Sequence, residues 1–149
     1  MFDFHQDRKK YFEIQYLNAK DYVIPFIENV FSIKKGFRVL EIGVGEGGVL
    51  RAFIEKGCTA VGVELDPRRV EWACGFLWEE IGRGSLHFVE KDIYKTDIEV
   101  DLKGKFDLIL LKDVIEHYNT PDTFVKNSIN RDSTMNTPLH LSETEKKRS

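Results

Sequence analysis

The stretch "VLEIGVGEGGVL", residues 39 to 50, constrains the chain more than any other. It starts as an apolar run, ends that run near a carboxylate, Glu41, and places Gly43, Gly45, Gly47 and Gly48 close together before the sequence turns apolar again. A buried strand, a glycine-rich turn and a helix in this order allow a ligand to approach bare backbone beyond the carboxyl end of a parallel strand. More glycines stand here, beside a flanking carboxylate, than a tight turn alone requires.

Two ligand patterns overlap on these residues. Gly43, Gly45 and Gly48 satisfy G-x-G-x-x-G, which suggests a dinucleotide such as NAD, while Glu41, Gly43, Gly45 and Gly47 satisfy E-x-G-x-G-x-G, which suggests S-adenosyl-L-methionine. Either glycine pattern is weak evidence when taken alone. Glu64 closes a second apolar run, "AVGVEL", and lies about twenty residues beyond the glycines, where a carboxylate can accept both hydrogens of a ribose diol. That geometry serves both cofactors. Asp66, just ahead of Pro67, is the better candidate for the cap of the following helix.

The rest of the chain fits an α/β frame. From Lys9 to Phe31 the apolar residues recur mostly at helical spacing, and Pro25 is expected to divide them into two helices. Strands are predicted at "FRVLEIG", "TAVGVEL", "LHFVEKD" and "FDLILLKD", with helices at "GGVLRAFIEKG" and "PRRVEWACGFLWEEIG" between them. The segment "VIEHYNTPDTFVKN" reads as a short helix or turn and then a helix from Pro121 or Asp122. Strands apolar on both faces and alternating with helices imply a parallel sheet covered on both sides. Residues 128–149 are polar, end in a charge run, and read as a solvated tail.

At this point the chain resembles the class I S-adenosylmethionine-dependent methyltransferases, in particular the small-molecule type whose fourth strand runs into an "EH" dipeptide. The pieces "VLEIGVGEGG", "VGVELDP", "FVEKDIY" and "FDLILLKDVIEH" stand in order and cover residues 37 to 118. The resemblance implies a Rossmann-like sheet, a helical lid over residues 1–34, a cofactor-binding domain over residues 35–127 and S-adenosyl-L-methionine as cofactor. It also implies the role of each matching residue. Glu41 and the Gly43–Gly45 loop would face the methionine part, and Glu64 would hold the ribose. Leu65 and Ile93 would flank the adenine, Asp92 would accept from its amino group, and the Lys112 carbonyl would meet the ammonium. Asp113, Glu116 and His117 would border the reaction space, with Glu116 and His117 the candidates for a base.

The resemblance stops after the fourth strand. The next helix of such a sheet has a counterpart from Pro121 to Asn130, but the fifth strand and hairpin that usually follow it have none in the sequence pattern, so the fold is expected to be incomplete and "FDLILL" to lie at an exposed edge. An apolar edge of that kind invites pairing with a second copy or aggregation. The alternatives to a working methyltransferase are a non-catalytic cofactor-binding fragment and an NAD-dependent oxidoreductase; "KDIY" and "DVIEH" argue against the latter.

Composition bounds the remaining classes. The chain has 149 residues, 42% of them hydrophobic, enough for one domain with an ordinary core. A net charge of −3, with Lys and Arg scattered, gives no reason to expect nucleic acid as a partner. The two cysteines, Cys58 and Cys74, lack metal spacing and are expected to be reduced packing residues. No segment reaches the ~20 apolar residues of a membrane span, and "MFDFHQDRKKYF" lacks a signal-peptide pattern, so a cytoplasmic protein is expected, and the resemblance, through its "EH" dipeptide, implies a small-molecule acceptor.

Overall fold

A computed structural model describes residues 7–111 and the backbone of residues 140–142. Helix α1 (Arg8–Asn18) begins where Asp7 accepts a hydrogen bond from the Lys10 amide at 3.1 Å. It runs through a π-helical turn (Ala19–Val23) into α2 (Ile24–Glu28) without leaving helical backbone angles. The expected division at Pro25 takes this milder form for a physical reason. Pro25 sits in the first turn of α2, and the Ile24 N–H reaches back to the Ala19 carbonyl, so the π turn absorbs the change in register.

The sheet follows. Strands β1 (Arg38–Ile42), β2 (Thr59–Val63), β3 (Leu86–Val89) and β4 (Leu108–Leu111) are joined by α3 (Gly48–Glu55), then by α4 (Pro67–Phe76) and α5 (Trp78–Gly82), then by a 3₁₀ turn (Ile93–Lys95). All pairs are parallel, and the strand order is β3-β2-β1-β4-β5, with β5 (His140–Ser142) at one edge. The chain therefore winds outward from β1 to β3 and resumes on the other side at β4. The boundary between β1 and β4 is the topological switch point, where ligands of open α/β sheets sit.

One expectation changes here. The fourth strand is not the edge: Ile109, Leu110 and Leu111 pair with His140, Leu141 and Ser142. The sequence pattern misses β5 because backbone amides make a ladder without any apolar period, and "HLS" is too short to show one. The edge invoked for self-pairing is thus occupied at these three positions. The four-stranded parallel core is as the sequence predicts, and its helices flank it.

Alternation along the strands divides the core. Val39, Ala60, Leu86, Leu108 and Leu110 face the layer containing Phe12, Ile27, Leu50 and Phe53. Leu40, Ile42, Val61, Val63, Ile109 and Leu111 face the opposite layer with Leu102 and Phe106. Not every apolar residue of the N-terminal helices is used. Phe26 and Val30 are 55% and 66% exposed, and Trp78 of α5 is 67% exposed. Only one side of α1 and α2 meets the sheet layer, so the helical spacing overstates the buried stripe.

Candidate functional site at the strand tips

Beyond β1 and β2 the backbone is tied together by few, well-placed bonds. The Gly43 N–H donates to the Val63 carbonyl at 2.9 Å. Gly45, at φ 62°, donates its N–H to Glu64 Oε2 at 3.0 Å. The other carboxylate oxygen of Glu64 accepts from the Leu65 and Asp66 amides at 3.1 and 3.2 Å. One side chain therefore joins the glycine loop to the turn after β2, and Asp66 caps α4 by accepting from the Arg68 amide at 3.0 Å. Glu41, 1% exposed, alternates with Val39 and so lies on the α3 side of the sheet. It stands opposite Gly62, where an added Cβ would come within 2.7 Å of Phe88 and Val44.

Helix α1 lies directly on this loop. Gln15 is 4% exposed, and its Oε1 accepts from the Gly48 amide, the first residue of α3, at 3.1 Å. A Cβ at Gly48 would meet the Phe12 carbonyl oxygen at 2.2 Å, so only glycine permits this approach. Glu46, fully buried within the loop, is paired through Oε1 with Arg8 at 3.4 Å. The Arg8 guanidinium in turn stacks over Trp72 of α4 at 3.8 Å. Arg8 and Gln15 are two turns apart on one side of α1, and both hold the loop.

The sequence pattern does not single out Arg8, Gln15 or Glu46. A signal was present. Gln15 falls on the stripe of α1 that buries Phe12 and Ala19, and a polar side chain on a core stripe requires a partner. Glu46 is the one charged residue among the four glycines of the loop.

The tip of β3 is built differently. Asp92 caps the 3₁₀ turn by accepting from the Tyr94 amide at 3.0 Å. Ile93 is buried with Val63 and Val89, while Leu65 is 67% exposed. Lys112, Asp113, Glu116 and His117 lie outside the described residues. Among the described residues there is no group of three or more His, Cys, Asp or Glu that could hold a metal ion.

The electrostatics of the loop limit its ligand. A pyrophosphate bound at a helix N-terminus is held by free backbone amides and by the positive end of the helix dipole. Here the Gly48 amide at the start of α3 is taken by Gln15, and the Glu46 carboxylate is buried in the loop itself. A ligand with cationic character and a ribose fits this donor set better than a dinucleotide.

The methyltransferase-domain family matches residues 13–131. The chain belongs to this family. Over 72 residues it is 38% identical to a human lysine N-methyltransferase named for the ATP synthase, an alignment covering 47% of this chain and 31% of that protein. It is 34% identical over 71 residues to the ribosomal RNA small subunit methyltransferase A of Caulobacter vibrioides, covering 48% and 27%. The chain thus spans less than a third of the length of these two relatives. A solved structure of a SAM-dependent methyltransferase from Aquifex aeolicus superposes with a TM-score of 0.60 at 17% identity, covering 97% of this chain and 84% of that one. The methyltransferase fold and the parallel sheet are common to both. No helix among the described residues is long and apolar enough to cross a membrane.

Proposed function

We propose that this methyltransferase-family chain binds S-adenosyl-L-methionine at the tips of β1 and β2 and transfers its methyl group to a small-molecule acceptor. The observation that carries the reading is the donor and charge balance of the glycine loop: the first amide of α3 is occupied by Gln15, and Glu46 is buried among the glycines. When bound, the cofactor supplies a methyl group made electrophilic by the sulfonium. The chain supplies geometry and a site from which water is excluded.

In this reading Glu41, Gly43 and Gly45 face the amino-acid end, and Glu64 accepts from the ribose hydroxyls. Asp92 accepts from the adenine amino group, the Ile93 amide donates to the ring, and Leu65 covers one face of it. The Lys112 carbonyl meets the ammonium group. Glu116 or His117 takes the proton that a hydroxyl or amine acceptor loses. The two relatives are named for a lysine and for ribosomal RNA, so the acceptor is assigned from the "EH" pattern. The net charge of −3 supports a partner other than nucleic acid.

Calorimetric titration with S-adenosylhomocysteine, with NAD as control, tests the cofactor. Saturable binding of the first alone, lost in Glu64→Ala, is expected; binding of NAD instead would reverse the assignment. Alanine at Glu116 and at His117 tests the base, and unchanged turnover in both would remove it.

A further inference from the structure

Gln15 has one side-chain atom that the fold does not use. Its Oε1 accepts from the Gly48 N–H, while Nε2 is buried and has no hydrogen-bond partner. The orientation is fixed by chemistry, because the atom facing an amide N–H must be the oxygen. The amide nitrogen then lies beside the loop: a Cβ added to Gly45 would stand 3.0 Å from Gln15 Nε2. Gln15 is 4% exposed, so water does not freely supply the missing acceptor. A buried donor left unpaired costs about 1–3 kcal/mol, which is reason to ask what it meets in the working protein.

The surroundings narrow the answer. Glu46 gives Oε1 to Arg8, and its buried Oε2 has no hydrogen-bond partner, so Glu46 does not take the Gln15 donor. The Gly43–Gly45 part of the loop, beside Gln15 Nε2, is the place the cofactor reading gives to the amino-acid end of the ligand. That end carries a carboxylate, an acceptor with no donor yet assigned to it, since Glu41, Glu46 and Glu64 can only accept when ionised.

We propose that Gln15 is a cofactor-binding residue whose Nε2 donates to the α-carboxylate of the S-adenosyl ligand, so that one side chain of α1 both fixes the glycine loop and reads the ligand's amino-acid end. This rests on the cofactor reading above. It makes α1 part of the binding site and gives the site a means of distinguishing a complete S-adenosyl amino acid from an adenosine thioether that lacks the carboxylate.

Calorimetry with two probes separates the possibilities. S-adenosylhomocysteine carries the carboxylate and 5′-methylthioadenosine lacks the whole amino-acid end. Gln15→Glu keeps an acceptor for the Gly48 amide and removes the NH₂ donor; Gln15→Met removes both. In Gln15→Glu the affinity for S-adenosylhomocysteine is expected to fall at least about tenfold, from the lost hydrogen bond and the added negative charge beside the ligand carboxylate, with methylthioadenosine binding unchanged; Gln15→Met, which also releases the Gly48 amide, is expected to weaken both probes, and S-adenosylhomocysteine about tenfold more. An equal loss for both probes, or no loss for S-adenosylhomocysteine, would overturn the Gln15 assignment and leave the cofactor reading in place. A wild-type chain that binds neither probe would overturn the cofactor reading and this inference with it. Nitrogen-edited NMR of the wild-type Gln15 side-chain amide is independent of how the variants fold. Its resonance should move with S-adenosylhomocysteine and stay in place with methylthioadenosine; the same shift with both would also overturn the assignment.

Discussion

The tips of β2 and β3 each end near a carboxylate, and the two are held in different ways. Glu64 accepts three backbone amides, one of them from the loop after a neighbouring strand. Asp92 accepts one amide, two residues further along its own turn. Glu64 is therefore part of the tertiary frame, whereas Asp92 is part of a local turn. The same contrast extends to the loops: the glycine loop is gripped by Arg8 and Gln15 from α1, while the 3₁₀ turn closes on itself. The amino-acid and ribose side of the site is thus set by packing between distant segments, and the adenine side by short-range geometry.

The grip of α1 on the glycine loop fails most easily at Gly48. An alanine there places Cβ at 2.2 Å from the Phe12 carbonyl oxygen and 2.8 Å from the Tyr16 amide nitrogen, both backbone atoms that cannot move alone. Helix α1 must lift from the loop, at a cost of about 3 kcal/mol or more. The denaturant midpoint should fall accordingly, and the Gly75→Ala change, where an added Cβ meets nothing within 4 Å, provides the control.

At Glu64 the expected cost is smaller, about 2 kcal/mol for Glu64→Ala, because three amides lose their acceptor but part of the site is open to water. Glu64→Gln keeps one oxygen and should recover about half of that in the same denaturation experiment. Equal stability of the alanine variant and wild type would show that the loop does not depend on this carboxylate. Asp92→Ala should cost about 1 kcal/mol, the size of a lost cap, without weakening the glycine loop. S-adenosylhomocysteine affinity then sharpens the comparison: loss at Asp92 with stability corrected for would make it a ligand contact, and unchanged affinity would leave it only a cap.

Much of this arrangement was legible in the sequence because it follows from periodicity and punctuation. The four core strands, the loop and the Asp66 cap each have a local cause. What escaped detection depends on contacts between distant segments. Arg8 and Glu46 are 38 positions apart, and Gln15 and Gly48 are 33 apart, so neither pair has a sequence spacing to read. Strand β5 escaped for a related reason: its three residues pair with β4, some thirty positions earlier in the chain, and are too few to show a period. The outward-facing Phe26 and Trp78 show the converse, since apolar character alone does not say which side of a helix finds a partner.

An effect absent near neutral pH is expected at the other end of the sheet. Cys58 stands just before β2, 2% exposed, and burial pushes its thiol up to about 11 from the ordinary 9.0. The folded state therefore keeps a proton that the unfolded chain releases first. Its contribution to stability is complete below pH 9.0 and is lost as the pH rises through about 11. Tyr16, also raised, chiefly by its 2.5 Å hydrogen bond to Glu55, adds a change of the same sign in the alkaline range, so a single pH curve cannot assign the loss. The difference between wild type and Cys58→Ala isolates the thiol. Between pH 9 and 11 wild type should lose stability faster than the variant by up to about 1.4 kcal/mol per pH unit, with no such divergence between pH 7 and 8. Parallel curves throughout would mean that the thiol titrates normally and that this end of the sheet admits water. Divergence would show a dry base beneath charged tips, the gradient along the strands that lets one end serve as core and the other as a binding site.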